Sequence, residues 1–248
     1  VTYVGGPTVL LEIAGKRFLT DPTFSPAGVH ETTPGRPLTK TEDPGLSADE
    51  VGPVDAVLLS HDQHADNLDP AGREYVERAL LTLTTPSGAR RLGGTAQGLA
   101  PWHQLHIGPV AVTAVPAQHG PKGSEEITGE VVGFVLTGKD LPTVYVSGDN
   151  ASLDVVREIS RRLRKLDLAV LFAGAARTSL FDGAPLTLTS EDAAEAAQVL
   201  RARNIVPVHT RGWGHFSEGP DEVRKAFAGA GLGDRLHVLE PGESAVIG

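Results

Sequence analysis

Cysteine and methionine are both absent from this 248-residue chain, and aromatic residues make up only 5% of it. Without cysteine there is no disulfide framework and no thiolate site, so any metal must be held by nitrogen and oxygen ligands. Basic residues are scarce as well: 22 Lys and Arg stand against 31 Asp and Glu, a net charge of -9. That balance makes nucleic acid an unlikely partner, since a general electrostatic grip on phosphates needs the opposite sign. No apolar run approaches the roughly 18 residues of a membrane span, and the first residues show no basic region followed by a hydrophobic segment. The default expectations are a soluble cytoplasmic protein, no membrane partner, and a small-molecule substrate, with a homo-oligomer left open. The lack of Met even at position 1 reads as a chain that starts after its initiator. Its length suits a single domain over residues 1–248 with a core that needs no staple.

What the chain does have is concentrated chemistry. Ser60-His61-Asp62-Gln63-His64-Ala65-Asp66-Asn67-Leu68-Asp69 places two imidazoles and three carboxylates directly behind the apolar run Ala56-Val57-Leu58-Leu59. A buried strand ending in so many metal-competent side chains is a poor core and a good cation site. Three later segments each put a ligand-type residue just after a short β-branched run: Val115 to His119, Val144 to Asp149 and Ile205 to His209. Taken singly, His119 or His209 reads as an ordinary loop or core histidine, Asp149 as a turn residue, and Asp66, Asn67 and Asp69 as caps of the next helix. Their common setting and order carry the metal reading.

The surrounding pattern is sheet-rich in the first half. Thr8 to Ile13 and Arg17 to Thr20 read as a hairpin around Gly15, and residues 25–53 as a long surface loop or lid. Val54 to Leu59, Leu81 to Thr84, Leu105 to Ile107, Val110 to Val115, Val131 to Leu136 and Thr143 to Val146 read as strands, and Pro70 to Leu80 as a helix. The second half alternates. Leu153, Val156, Ile159 and Leu163 recur at helical spacing, with Arg161, Arg162, Arg164 and Lys165 in the last turns, where cations suit the helix dipole. Strands are expected at Leu168 to Phe172 and Ile205 to Val208, helices from Ser190 as cap and from Pro220, and closing strands at Leu236 to Leu239 and Ser244 to Ile247. Such a pattern suits two packed sheets covered by helices.

The order Thr20-Asp21-Pro22, the histidine and aspartate cluster, His119, Ser147-Gly148-Asp149 and Pro207-Val208-His209 resembles the metallo-β-lactamase superfamily over nearly the whole chain. Its branch containing the L-ascorbate-6-phosphate lactonase and N-acylphosphatidylethanolamine phospholipase D is the most similar. The resemblance implies an α+β fold, the four-layer αββα sandwich, with a metal site at one edge of its two sheets. It implies metal ligation by His61, His64, Asp66, His119, Asp149 and His209. One departure stands out. The family motif H-x-H-x-D-H matches at His64 and Asp66, but its first histidine falls on Asp62 with His61 one residue earlier, and its last histidine is replaced by Asn67. Either His61 or Asp62 is the first ligand. A neutral amide is a weaker ligand than imidazole, so a second ion is expected to be held less tightly.

The expected function is hydrolysis of a small lactone, ester, amide or phosphodiester by water activated at one or two divalent ions, zinc first and manganese as the alternative. Asp66 is the expected water-orienting group or base. His215, in Arg211-Gly212-Trp213-Gly214-His215-Phe216, is the expected second catalytic group, with Trp213 beside it as another candidate for the pocket wall. Arg177 and Phe181 are weaker candidates for substrate contact, and His30, His103, His106 and His237 are read as structural. The rival functions are a metal-dependent nuclease or phosphodiesterase, which calls for a basic groove, and a degenerate scaffold without turnover, which Asn67 and the altered histidine spacing favour. Iron-dependent redox chemistry calls for a flavin or sulfur-handling context that the sequence does not show.

Overall fold

In the computed structural model, residues 1–31, 35–163 and 165–247 are described; the expected Arg164 and part of the expected loop fall outside them. Strands β1 (Thr2–Gly5), β2 (Thr8–Ile13) and β3 (Lys16–Thr20) form an antiparallel meander. The long loop that follows is not structureless. It carries a small hairpin, β4 (Gly28–His30) with β5 (Leu38–Lys40), and helix α1 (Ala48–Val51), closed by a Ser47/Glu50 capping box. The meander then continues in parallel through β6 (Ala56–Leu58), helix α2 (Pro70–Arg78), β7 (Thr82–Thr84), helix α3 (Pro86–Leu92) and β8 (Ala96–Gly98).

The second six-stranded sheet begins with antiparallel β9 (Gln104–Ile107), β10 (Val110–Pro116), β11 (Val132–Thr137) and β12 (Val144–Val146), with the short helix α4 (Glu125–Thr128) between β10 and β11. Helix α5 (Leu153–Arg162) crosses to the parallel strand β13 (Leu168–Phe172), and α6 (Ser190–Leu200) to β14 (Asn204–Val208), before α7 (Pro220–Gly229). The sheet orders are β1-β2-β3-β6-β7-β8 and β14-β13-β12-β11-β10-β9.

Alternation along the strands sorts the side chains into three cores. Phe18, Leu58 and Leu83 of the first sheet meet Val112, Phe134, Val146, Val170 and Val206 of the second in the layer between them. Residues one step out of phase face outward: Tyr145, Ala169, Leu171 and Ile205 pack under α5, α6 and α7, while Leu10, Leu19, Val57 and Leu59 pack under α1 and α2. The central parallel strands β6 and β13 are buried along their whole length, as strands covered on both faces must be. The alanines of α6 let that helix sit close to the sheet. These layers are the expected αββα sandwich.

Two local expectations need correction. Thr189, not Ser190, caps α6: its hydroxyl accepts from Asp192 N at 3.0 Å, and Ser190 is the first helical residue. The segments 236–239 and 244–247 are not strands, because they meet their neighbours only at single bridges, Ile205 with Leu236 and Thr2 with Ser244. They lie along the outer strands and are tied by separate bonds such as Tyr3 N to Glu243 O at 2.9 Å.

The loop hairpin is pinned to the first sheet by a buried charge. Asp69 is fully buried at the N-terminus of α2, where it accepts from Gly72 N, Phe24 N and Ser25 N and pairs with Lys40 Nζ at 3.0 Å. Burial pulls the Lys40 ammonium below its ordinary pKa while Asp69 opposes that shift. Removing the carboxylate strands a buried cation and three amide donors. Asp69→Ala is therefore expected to lower the unfolding free energy in urea by about 3–5 kcal/mol; a loss under about 1 kcal/mol contradicts this role.

Candidate metal centre

The strand tips at one edge of the sandwich deliver the chemistry. Asp21 follows β3, Ser60 and His61 follow β6, His119 follows β10, Asp149 follows β12 and His209 follows β14. The carboxyl ends of open sheets are where side chains from separate strands can meet without breaking a ladder. Gly148 makes one of these turns possible. Its φ is +57°, and a Cβ there would lie 2.7 Å from the Val132 carbonyl and 2.8 Å from Ser60 Cβ.

Two groups of ligand atoms converge. His61, His64, His119 and Asp149 offer atoms that all lie within 4.8 Å of one another, and so do Asp66, Asp149 and His209, with Asp149 common to both. In the first group His64 Nδ1 is 2.8 Å from His61 Nε2 and 3.2 Å from His119 Nε2, and His119 Nε2 is 3.5 Å from Asp149 Oδ2. Outer contacts fix which nitrogens face inward. His119 Nδ1 donates to the Leu186 carbonyl at 2.8 Å, and Ser60 Oγ lies 2.9 Å from His61 Nδ1, so both rings present Nε2 to the cluster. Burial holds the pKa of His61 well below its usual value, and burial with His119 nearby brings His64 down to about 4. Neutral imidazoles with free lone pairs are the form a cation needs.

The second group is tied to the first by carboxylates. Asp66 Oδ2 lies 3.2 Å from His209 Nε2 and 3.0 Å from His215 Nε2. Burial works against the Asp66 charge, but His215 and His209 hold its carboxyl well below the ordinary range. His209 sits in the left-handed region at φ 56°, its ring stacked on Phe172 with centroids 5.2 Å apart and packed against Phe216 at 4.2 Å. For a non-glycine residue this backbone is strained, and such strain collects at functional sites.

These residues fit a divalent cation. Among the described residues Asp66 Oδ1, Asp149 Oδ2 and both His209 nitrogens are buried without a hydrogen-bond partner. An orphaned buried polar atom costs about 1–3 kcal/mol. Three imidazole lone pairs aimed at one point, beside buried carboxylates whose ion-pair partners among the described residues are imidazoles alone, call for positive charge there. Nitrogen and oxygen donors of this kind suit zinc, manganese or iron rather than a thiolate-seeking ion.

The altered motif has a clear outcome in space. Asp62 turns away and forms a bidentate pair with Arg91, at 2.9 Å from Nε and 2.5 Å from Nη2, so His61 rather than Asp62 faces the cluster. Asn67 is fully buried and acts as a donor, from Nδ2 to Asp149 Oδ1 at 3.1 Å and toward Asp21 Oδ2 at 3.5 Å. Asp21 itself, which burial raises well above the ordinary carboxyl range, accepts from Ser60 N at 2.5 Å. Ser60, Leu186 and the Asn67 donor role were not read from the sequence, because each depends on a partner distant in the chain.

A cavity of about 370 Å³ opens on the cluster, with His64, Asp66, His119 and His215 in its lining. Trp213 is not among the lining residues; it is buried, with the Lys40 ammonium 5.6 Å from its ring centroid. Arg211 faces elsewhere, paired with Glu42 and Glu240. Phe181 lines the cavity, whereas Arg177 does not and instead donates to the Gly183 carbonyl and Ser217 Oγ. His237 is held by Asn204 Oδ1 at 2.9 Å and His30 by the Pro26 carbonyl at 2.7 Å, both outside the cluster.

A four-layer αββα sandwich with a histidine and aspartate cluster at its strand tips defines the metallo-β-lactamase fold. The model of the β-lactamase superfamily domain matches residues 16–210, and the chain belongs to that family. It is 30% identical over 255 residues to a protein named UPF0173 metal-dependent hydrolase from Pelotomaculum thermopropionicum, with 98% of each chain covered. Among solved structures it is similar to an isothiocyanate hydrolase from Delia radicum gut bacteria, with a TM-score of 0.85, 24% identity and coverage of 99% of this chain and 98% of that one. It is likewise similar to a possible metal-dependent hydrolase from Veillonella parvula, with a TM-score of 0.84, 21% identity and coverage of 98% and 97%.

The geometry separates His61 from its neighbour. His61→Ala is expected to lower bound metal measured by elemental analysis of the purified protein. Asp62→Ala is expected to keep the metal and lose stability through the broken Arg91 pair. Equal metal content in wild type and His61→Ala, or metal loss in Asp62→Ala alone, reverses the assignment.

Proposed function

We propose that this chain is a metal-dependent hydrolase of small molecules, with the cation held by His61, His64, His119 and Asp149. The observation that carries it is the convergence of these four side chains, with His64 and His119 lining a cavity that opens on them. Asp66, Asp149 and His209 form a second, weaker position, since Asn67 spends its amide on Asp149 and Asp21 rather than offering a ring nitrogen. Zinc is the ion we favour, with manganese as the alternative.

When bound, the cation lowers the pKa of water at the cluster toward roughly 7 and polarises the oxygen under attack. The remaining work falls to the chain. Asp66 and His215 form a carboxylate and imidazole pair 3.0 Å apart, both in the cavity lining. Asp66 orients the attacking water, and the Asp66–His215 pair accepts its proton and passes it toward the leaving group. The leaving group therefore departs on the His215 side.

The candidate substrates are a small lactone, ester, amide or phosphodiester, with a lactone supported by the branch resemblance. A polymer-cutting nuclease is disfavoured by the net charge of -9 and by a cavity of about 370 Å³, which takes a small molecule. The test is a metal-loaded sample assayed on a panel of lactones, esters, amides, phosphodiesters and an isothiocyanate, the last from the name of the fold neighbour. Asp66→Asn and His215→Gln are each expected to lower kcat by about 10²- to 10⁴-fold on the substrate found. A retained stoichiometric metal with no turnover on any member favours the non-catalytic scaffold.

A further inference from the structure

We infer that the cavity above the cluster selects an uncharged substrate carrying an apolar alkyl or aryl arm, which lies against the apolar part of its wall. Three separate segments build that wall. Pro37 and Leu38 come from the β4–β5 hairpin, Ile127 from α4, and Leu180, Phe181 and Leu186 from the segment between β13 and α6. The convergence of apolar side chains from unconnected segments on one space is what a binding wall requires and what an ordinary surface avoids. Ile127 and Leu180 are 41% and 40% exposed, two of only five exposed large hydrophobic residues among those described, and both stand at this cavity.

A second observation is independent of the lining. Phe181 and Asp182, neither a glycine, are both left-handed, at φ 60° and 52°, in the turn Leu180–Gly183. Each such residue costs on the order of 1–3 kcal/mol and persists only where its surroundings hold it. Here the hold is visible: the Arg177 guanidinium donates to the Gly183 carbonyl, and Ala184 N donates to the Phe181 carbonyl at 3.0 Å. The braced turn presents the Phe181 ring to the cavity.

Charge narrows the class. Apart from the histidines, the charged side chains in the lining are Arg36 and Asp66. Arg36 is exposed, with Nη1 bonded to the Ile127 carbonyl at 3.1 Å. Among the described residues the lining thus holds no buried Lys or Arg to receive a second anionic group on the substrate, whether carboxylate or phosphate. A neutral ester, lactone or amide with an apolar arm fits this wall, and a substrate whose arm ends in an anionic group does not. The proposal rests on the hydrolase reading for the reacting group, and on the wall alone for the arm.

The test reads binding rather than turnover. Metal-loaded protein is titrated calorimetrically with aceto-, butano-, hexano- and octanohydroxamic acid, which share one metal-seeking head and differ in the arm. Affinity is expected to rise by up to about fourfold per methylene until the cavity is filled. Ile127→Ser and Leu180→Ser, on two separate segments, are each expected to flatten that rise while metal content stays at the wild-type value. A flat series, including no binding at all, overturns the inference, as does tighter binding of a hydroxamate whose arm ends in a carboxylate. A rising series with no turnover of any neutral ester, lactone or amide keeps the apolar wall and removes the hydrolase reading.

Discussion

The structure depends on a point of unbalanced charge and lone pairs at the edge of two packed sheets. His61, His64 and His119 aim ring nitrogens at one another across 2.8 and 3.2 Å, with Asp149 beside them. Left alone, such an arrangement is costly, because burial denies these groups water. A divalent cation there would turn the cost into binding free energy, a physical reason for the residues after β6, β10, β12 and β14 to meet within a few ångströms. The sandwich supplies the rigidity that holds them there. Its inter-sheet core fixes strand positions, and the hydrogen bonds from Ser60 and Leu186 fix ring orientation.

From the cluster outward, each layer of the molecule changes character. The nearest shell is made of hydrogen bonds between buried groups, with Asn67 joining Asp149 to Asp21 and Asp66 joining His209 to His215. Beyond it lie apolar walls from three separate segments, the β4–β5 hairpin, α4 and the stretch between β13 and α6. A rigid floor with variable walls is how one fold can keep its metal chemistry while changing what it admits. The Lys40 and Asp69 pair gives the β4–β5 hairpin a fixed anchor, so this wall segment is held to the first sheet.

Much of this was legible in the sequence. The strands β2, β3, β10, β11, β13 and β14 stand where alternating or continuous apolar runs placed them, because burial on one face or both writes a period into the residues. The ligand-type residues were legible because each follows such a run. Of the three-residue strands, β6, β7 and β12 were read and the others were not. The three-residue strands β4, β5 and β8 and the helices α1, α3 and α4 carry too few residues to show a period. The segments 236–239 and 244–247 have strand-like composition but no ladder to join, a fact of tertiary position and not of propensity.

The site showed the same division. Sequence named His61 but left Asp62 open as the alternative first ligand, since the pairing of Asp62 with Arg91, 29 residues away in the chain, is invisible without the fold. Trp213 and His215 looked alike as wall residues, and only the fold buries one and opens the other. Leu180 and Ile127 had no signal beyond being apolar in turn-rich stretches. The central claim is that one cation sits among His61, His64, His119 and Asp149. Anomalous diffraction from crystals of the metal-loaded protein, collected on both sides of the metal's absorption edge, tests it most directly. The account predicts a peak bonded to His61 Nε2, His64 Nδ1, His119 Nε2 and an Asp149 carboxylate oxygen. A peak elsewhere, or none in protein shown to carry stoichiometric metal, contradicts it.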